Sequence, residues 1–157
     1  MTVKIGINGF GRIGRLLFRA ALKNPEVSVV AINDLAAPEA LYYAFKYDSV
    51  HGKYPGTLTL EGRTMSIDGD PFQILGEKDP SRLPWKDLGV DYVIESTGQF
   101  RRLADLEHHI EAGARRVLVL TSPTTSTWQR RRRVRENSYV PAAAASVRFW
   151  RDPCPPF

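Results

Sequence analysis

The chain has 157 residues, 43% of them hydrophobic and 25% charged, with a formal net charge of +5. That length makes one ordinary domain, able to bury roughly 70% of the surface its extended form exposes, and that composition excludes an intrinsically disordered protein. Residues 1–123 balance 15 Lys+Arg against 15 Asp+Glu while residues 124–157 carry 7 against 2, so the basic excess belongs to the tail and a basic nucleic-acid-binding body is excluded.

The opening alternates short β-branched runs with amphipathic stretches, the pattern of βαβ units around a parallel sheet. Residues 3–7 read as the first strand. From 12 to 23 the apolar Ile13, Leu16, Leu17, Ala20 and Ala21 recur at helical spacing and predict one buried face, with Asn24-Pro25 as the stop. The near-continuous apolar run over 27–32 suits a parallel strand covered on both faces. Pro38 marks the start of a second helix, whose stripe is Ala40, Leu41, Ala44 and Phe45. A β-rich insertion follows: 57–61 and 63–67 alternate around Gly62, and 73–75 comes after another turn, which predicts small antiparallel strands. The first pattern then resumes with a strand over 92–94, a helix over about 103–112 closed by Gly113, and a strand over 117–120. The expected fold class is α/β, a Rossmann-type, doubly wound, mostly parallel sheet with a small antiparallel insertion.

Gly9-Phe10-Gly11-Arg12-Ile13-Gly14 has the spacing G-x-G-x-x-G between a predicted strand and a predicted helix. In that setting Gly9 allows the tight turn, Gly11 lets backbone approach a pyrophosphate, and Gly14 lets helix and strand pack closely. Free N–H groups near Arg12 and Ile13 would face the phosphates. Asp34, twenty positions beyond Gly14 at the end of the second strand, is where a ribose-binding carboxylate belongs. With a carboxylate there and apolar Leu35 next to it, a 2′-phosphate would meet like charge, so the expected cofactor is NAD rather than NADP.

These residues also carry a family resemblance. Val3-Lys4-Ile5-Gly6-Ile7-Asn8-Gly9-Phe10-Gly11-Arg12-Ile13-Gly14-Arg15 closely resembles the amino terminus of the glyceraldehyde-3-phosphate dehydrogenase family. Ala31-Ile32-Asn33-Asp34, Tyr47-Asp48-Ser49-Val50-His51-Gly52, Glu95-Ser96-Thr97-Gly98 and Thr121-Ser122-Pro123 match it in order, so the likeness covers residues 1 to about 123. The resemblance implies an NAD site with Arg12 and Ile13 at the pyrophosphate, Asp34 at the adenosine ribose, Lys78 beside the adenine and Thr121 near the nicotinamide ribose. Asn8, Gly9 and Gly11 complete the turn, and Ser96, Thr97, Gly98 and Phe100 lie along the cofactor's path. It also implies glycolytic oxidation of glyceraldehyde 3-phosphate to 1,3-bisphosphoglycerate, and a homotetramer.

That chemistry needs a cysteine thiolate in a Ser-Cys-Thr-Thr-Asn motif opening a helix, and no such motif occurs in the 157 residues. Cys154 is flanked by Pro153, Pro155 and Pro156, which remove the N–H donors that would activate a thiol. His51 reads as structural or as a subunit contact, and His108 and His109 as a partly exposed helix face. No catalytic residue and no metal site is expected, and the catalytic domain is expected to be absent. The expected organisation is an NAD-binding domain over 1–123 and an aberrant, disordered tail over 124–157, from a truncated or frameshifted chain inactive alone. The five arginines within 129–135 offer a second reading as a nucleic-acid-binding module, and retained NAD binding a third, as a structural subunit. No stretch reads as a signal peptide or membrane span, which leaves a cytoplasmic setting as the expectation. The missing half would leave apolar surface uncovered on the isolated domain.

Overall fold

In the computed structural model, residues 2–120 are described. Thr121 and the whole tail predicted at 124–157, with its arginine run and Cys154, lie outside them.

A seven-stranded sheet is built around β1 (Val3–Asn8), which is followed by helix α1 (Arg12–Ala21) and by β2 (Val27–Asn33) parallel to it. Helix α2 (Pro38–Lys46) begins with proline in its first turn, where the missing N–H costs no helical bond, and leads into a two-residue hairpin, β3 (Tyr47–Asp48) and β4 (Gly52–Lys53). Next come β5 (Leu58–Glu61), β6 (Thr64–Ile67) and β7 (Asp70–Leu75). After a 3₁₀ turn at Pro80–Arg82 the chain crosses to β8 (Tyr92–Glu95), α3 (Leu103–Glu111) and β9 (Arg116–Val119).

The strand order is β5-β6-β7-β2-β1-β8-β9. From β1 the chain winds outward through β2 to β7, then returns to the other side of β1 for β8 and β9, and the strands from β7 to β9 are parallel. The winding therefore reverses between β1 and β8, and a cleft opens at the carboxyl ends of those strands. This is the mostly parallel, doubly wound sheet expected from the sequence. The insertion is more closely joined to it than the sequence implied. One strand serves both pairings: Phe72 of β7 faces Met65 in an antiparallel pair, and Ile74 faces Ile32 in a parallel one.

Alternation along the strands divides the core into two layers. Ile7, Ile32 and Ile94 point to one face, under Phe10, Phe18, Leu41 and Phe45, whereas Ala31 and Val93 point to the other, under Leu83, Trp85 and Val90. Each fully buried Phe or Ile contributes about 1.5–3 kcal/mol.

Two helix faces differ from expectation. In α1 the fully buried residues are Gly14 and Phe18, while Ile13 and Leu16 are 47% and 45% exposed. The helix sits flush on the glycine turn and presents the row that contains Gly14, a residue with no hydrophobic signature. In α3, His109 is completely buried, and only His108 keeps an exposed side chain beside Glu111. The two ring nitrogens of His109 have polar partners in the core, Trp85 Nε1 at 3.1 Å and Glu95 Oε2 at 3.2 Å.

The hairpin β3–β4 is pinned to α1 by charge rather than by apolar contact. Arg19 donates to the carbonyls of Phe45 (2.7 Å) and Gly52 (3.3 Å), and Arg15 lies 3.7 Å from the Asp48 carboxylate, which also holds His51. Leu35, Tyr43, Tyr47 and Val50 stay exposed. Among the described residues, no helix is long and apolar enough to cross a membrane.

Candidate cofactor site

The carboxyl ends of β1 and β2 and the turns after β7 and β8 enclose a cleft of about 370 Å³. Of the residues singled out in the sequence, Asn8, Gly9, Gly11, Asp34, Lys78, Ser96, Thr97 and Phe100 line it. Asn33, Leu35, Glu77 and Gln99 line it as well and were not anticipated. Arg12 and Ile13 form the first turn of α1 at its edge, and Gly14 lies behind the wall. Gly98 adopts a left-handed conformation and its carbonyl accepts from Arg101 Nε at 2.8 Å. A depression of about 430 Å³ at the opposite end of the strands, between Phe18, Pro25 and Phe72, shares none of this chemistry.

The glycine turn is fixed by what surrounds it. Gly9 has φ +93°, and a Cβ there would come within 2.7 Å of the Thr97 nitrogen. A Cβ on Gly14 would meet the Gly9 carbonyl oxygen at 2.2 Å. Helix and turn therefore interlock only with glycine at both places. Above Gly11 a Cβ would meet nothing within 4 Å, so the backbone is open to a ligand at that point.

Gly11 caps α1 without a side-chain hydrogen bond, and the first turn contains no acidic residue. The first N–H groups of an α-helix have no partner within the helix, and they concentrate the positive end of its dipole. Opposite stands Asp34, whose Oδ2 accepts from the Phe10 N–H (2.7 Å) and whose Oδ1 accepts from the Ala36 N–H (3.0 Å). The carboxylate thus ties the end of β2 to the glycine turn and keeps lone pairs free for a pair of hydroxyls. One end of the cleft suits a diphosphate and the other a vicinal diol. Those two preferences, with open backbone between them, fit NAD. A further phosphate beside Asp34 would meet like charge.

Below the floor runs a buried polar layer. Glu95 is fully buried; its Oε2 accepts from Asn8 Nδ2 (2.6 Å), and its Oε1 accepts from the Thr97 N–H (2.8 Å) and the Thr97 hydroxyl. Asn8 Oδ1 in turn accepts from Asn33 Nδ2 (2.7 Å), and Asn33 exchanges two hydrogen bonds with the backbone of Glu77 (2.8 Å each). Ser96 Oγ donates to the Gly9 carbonyl at 2.7 Å. Sequence reading missed Glu95, Asn33 and Glu77 as site residues. Asn33 and Glu95 stand as polar residues at the ends of β2 and β8, inside segments that carry the family resemblance, whereas Glu77 lies in the turn after β7 with no such signal.

Fold and cleft together define a Rossmann-type dinucleotide-binding domain. The comparison with known families refines the class: the family model described as glyceraldehyde 3-phosphate dehydrogenase, NAD binding domain, matches residues 3–103. The chain belongs to that family, and its cofactor is NAD. It is 47% identical to the glyceraldehyde-3-phosphate dehydrogenase of Debaryomyces hansenii over 142 residues, 90% of this chain and 42% of that protein. It is 50% identical to glyceraldehyde-3-phosphate dehydrogenase 1 of Bacillus subtilis over 119 residues, and 51% identical to the enzyme of Thermotoga maritima over 122, each covering 76% of this chain and 36% of the relative. The chain thus spans about two fifths of the length of the curated relatives it matches.

Proposed function

We propose that residues 1–123 are the cofactor-holding unit of a glyceraldehyde-3-phosphate dehydrogenase. The observation that carries this reading is the pairing, across one cleft, of an uncapped helix start above Gly11 with the Asp34 carboxylate. Arg12 and Ile13 present backbone N–H groups to the diphosphate, and Asp34 takes the adenosine ribose hydroxyls. Lys78 lies beside the adenine, Asn8 and Gly9 shape the turn, and Gly14 seats the helix. Ser96, Thr97, Gly98 and Phe100 border the nicotinamide half. When bound, NAD supplies the hydride acceptor for oxidation of an aldehyde. What these residues contribute is grip and orientation. The substrate glyceraldehyde 3-phosphate is taken from the name the relatives carry, and assembly into a tetramer and a cytoplasmic setting belong to the same proposal.

Calorimetric titration of the 157-residue chain with NAD and with NADP tests the proposal. The expected result is binding of NAD in clear preference to NADP. Replacing Asp34 with Ala removes charged hydrogen bonds worth about 1.5–3 kcal/mol, so NAD should weaken by roughly tenfold to a hundredfold and the gap to NADP should narrow. Failure of the unmodified chain to bind NAD overturns the reading.

A further inference from the structure

His109 is as fully buried as any of the described residues, and it belongs to α3, which contributes no residue to the cleft lining, yet its ring meets the cleft residue Phe100 edge-on at 6.4 Å. Its surroundings determine where its proton lies. Trp85 Nε1 can only donate, and it does so to His109 Nδ1 at 3.1 Å. Nδ1 is therefore the acceptor, and the ring's proton sits on Nε2, 3.2 Å from Glu95 Oε2. Asn8 Nδ2, 3.5 Å from the same ring nitrogen, is a second donor to that oxygen and makes no bond to the ring.

The direction imposed at Glu95 is passed on. Four donors converge on its carboxyl oxygens: His109 Nε2 and Asn8 Nδ2 on Oε2, and the N–H and hydroxyl of Thr97 on Oε1. Asn8 must then turn its Oδ1 toward Asn33, Asn33 must offer Nδ2, and the Asn33 Oδ1 is left to receive the Glu77 N–H. Two arms of hydrogen bonds therefore converge on Glu95 under the ends of β8, β1 and β2, one donating from Trp85 through His109 and the other from the Glu77 turn that bears Lys78 through Asn33 and Asn8. Every amide in them has one permitted orientation.

We infer that Glu95 and His109 are positioning residues of the dinucleotide cleft, acting through a hydrogen-bonded network that converges on Glu95 to hold the Thr97 turn directly and the Glu77-Lys78 turn through Asn8 and Asn33. The inference deepens the NAD-binding reading and rests on it for its effect on affinity. The network itself has a readout that needs no ligand. Glu95→Gln places an NH₂ among four donors, so at least one donor faces another and the two arms lose their common acceptor. His109→Phe removes one donor from Glu95 and strands the Trp85 N–H. His109→Gln supplies an amide donor and a carbonyl acceptor in the same region.

The test measures amide hydrogen exchange and NAD affinity on the full chain for the unmodified protein and these three variants. In Glu95→Gln and His109→Phe, the Thr97 and Glu77 amides should exchange about tenfold faster or more while the β1 and β2 core amides remain protected, the size expected for losing one buried bond. NAD should weaken by a similar factor in both, and His109→Gln should recover most of it. The long-range ¹H–¹⁵N spectrum of His109 should show the proton on Nε2. Unchanged Thr97 and Glu77 exchange in Glu95→Gln, or in His109→Phe should the former not fold, overturns the positioning role. So does unchanged NAD affinity in a chain that binds NAD. A chain that shows the exchange effect but binds no NAD overturns the functional reading and leaves the network of bonds standing.

Discussion

Asp48 shows how a single carboxylate can secure a segment through backbone bonds. Its Oδ1 accepts the N–H groups of His51 and Val50, both at 2.9 Å, and these bonds hold its carboxyl well below the ordinary value of 3.8, against the opposing effect of burial. The His51 ring, 3.2 Å from the same oxygen, adds to the shift, and Arg15 approaches Oδ2. A carboxyl depressed by folding contributes stability above its unfolded value, and that contribution drains away as pH falls through the interval down to the folded one. Asp48→Asn should accordingly lower the urea midpoint at neutral pH. The deficit should shrink steadily below about pH 4, where the unfolded carboxyl begins to protonate. Midpoints measured across that range give the answer, and two parallel curves would contradict the assignment.

At the scale of elements, the joint between α1 and the glycine turn separates two tasks that the motif combines. A methyl on Gly14 would collide with the Gly9 carbonyl at 2.2 Å, an atom of backbone that cannot swing away, so Gly14→Ala should cost about 1–3 kcal/mol in urea unfolding. Gly11, with nothing within 4 Å of its Cβ position and φ −71°, accepts alanine without strain, so Gly11→Ala should unfold almost as the parent does. Its methyl would instead intrude into the cleft and weaken NAD. The reverse outcome, with Gly11 the costly position for folding, would mean that the turn is held some other way. The order of the main strands and helices was legible in the sequence because β2 is a near-continuous apolar run and α1 and α2 carry apolar stripes at helical spacing, whereas the two-residue strands of the β3–β4 hairpin are too short for any period. The facing of α1 was not: hydrophobicity puts Ile13 and Leu16 inward, but interlocking at Gly14 decides the rotation and leaves them exposed. The cleft's glycines and Asp34 were legible from spacing. Glu95, His109 and Asn33 were not, because Asn8 meets Glu95 87 residues away and Asn33 meets Glu77 44 away, and such pairings leave no local period.

For the molecule as a whole, the aromatic cluster on one face of the sheet joins the cofactor turn to global stability. Phe10, inside the glycine turn, stacks on Phe45 of α2 at 5.9 Å and meets Phe18 of α1 edge-on at 5.7 Å, while Phe18 reaches Phe72 of β7 at 4.8 Å. Phe45 is wholly buried and also packs against Tyr54. Phe45→Ala opens a cavity beside Phe10, Phe18 and Tyr54, and such truncations cost about 3–5 kcal/mol. A domain of this size holds about 5–15 kcal/mol in total, so the variant should sit near its unfolding threshold and melt well below the parent in one cooperative transition. The Phe10 N–H is the group that Asp34 holds, so a loosened turn is also a loosened site, and the variant's affinity for NAD should fall with its stability. Saturating NAD should still recover stability by mass action, about 2.7 kcal/mol at a hundred times its own Kd. Calorimetric scans of parent and variant with and without NAD measure all three effects. A variant that melts like the parent would show that the aromatic cluster carries little of the fold. One destabilised with NAD affinity intact would show that the turn keeps its shape without Phe45 beneath it.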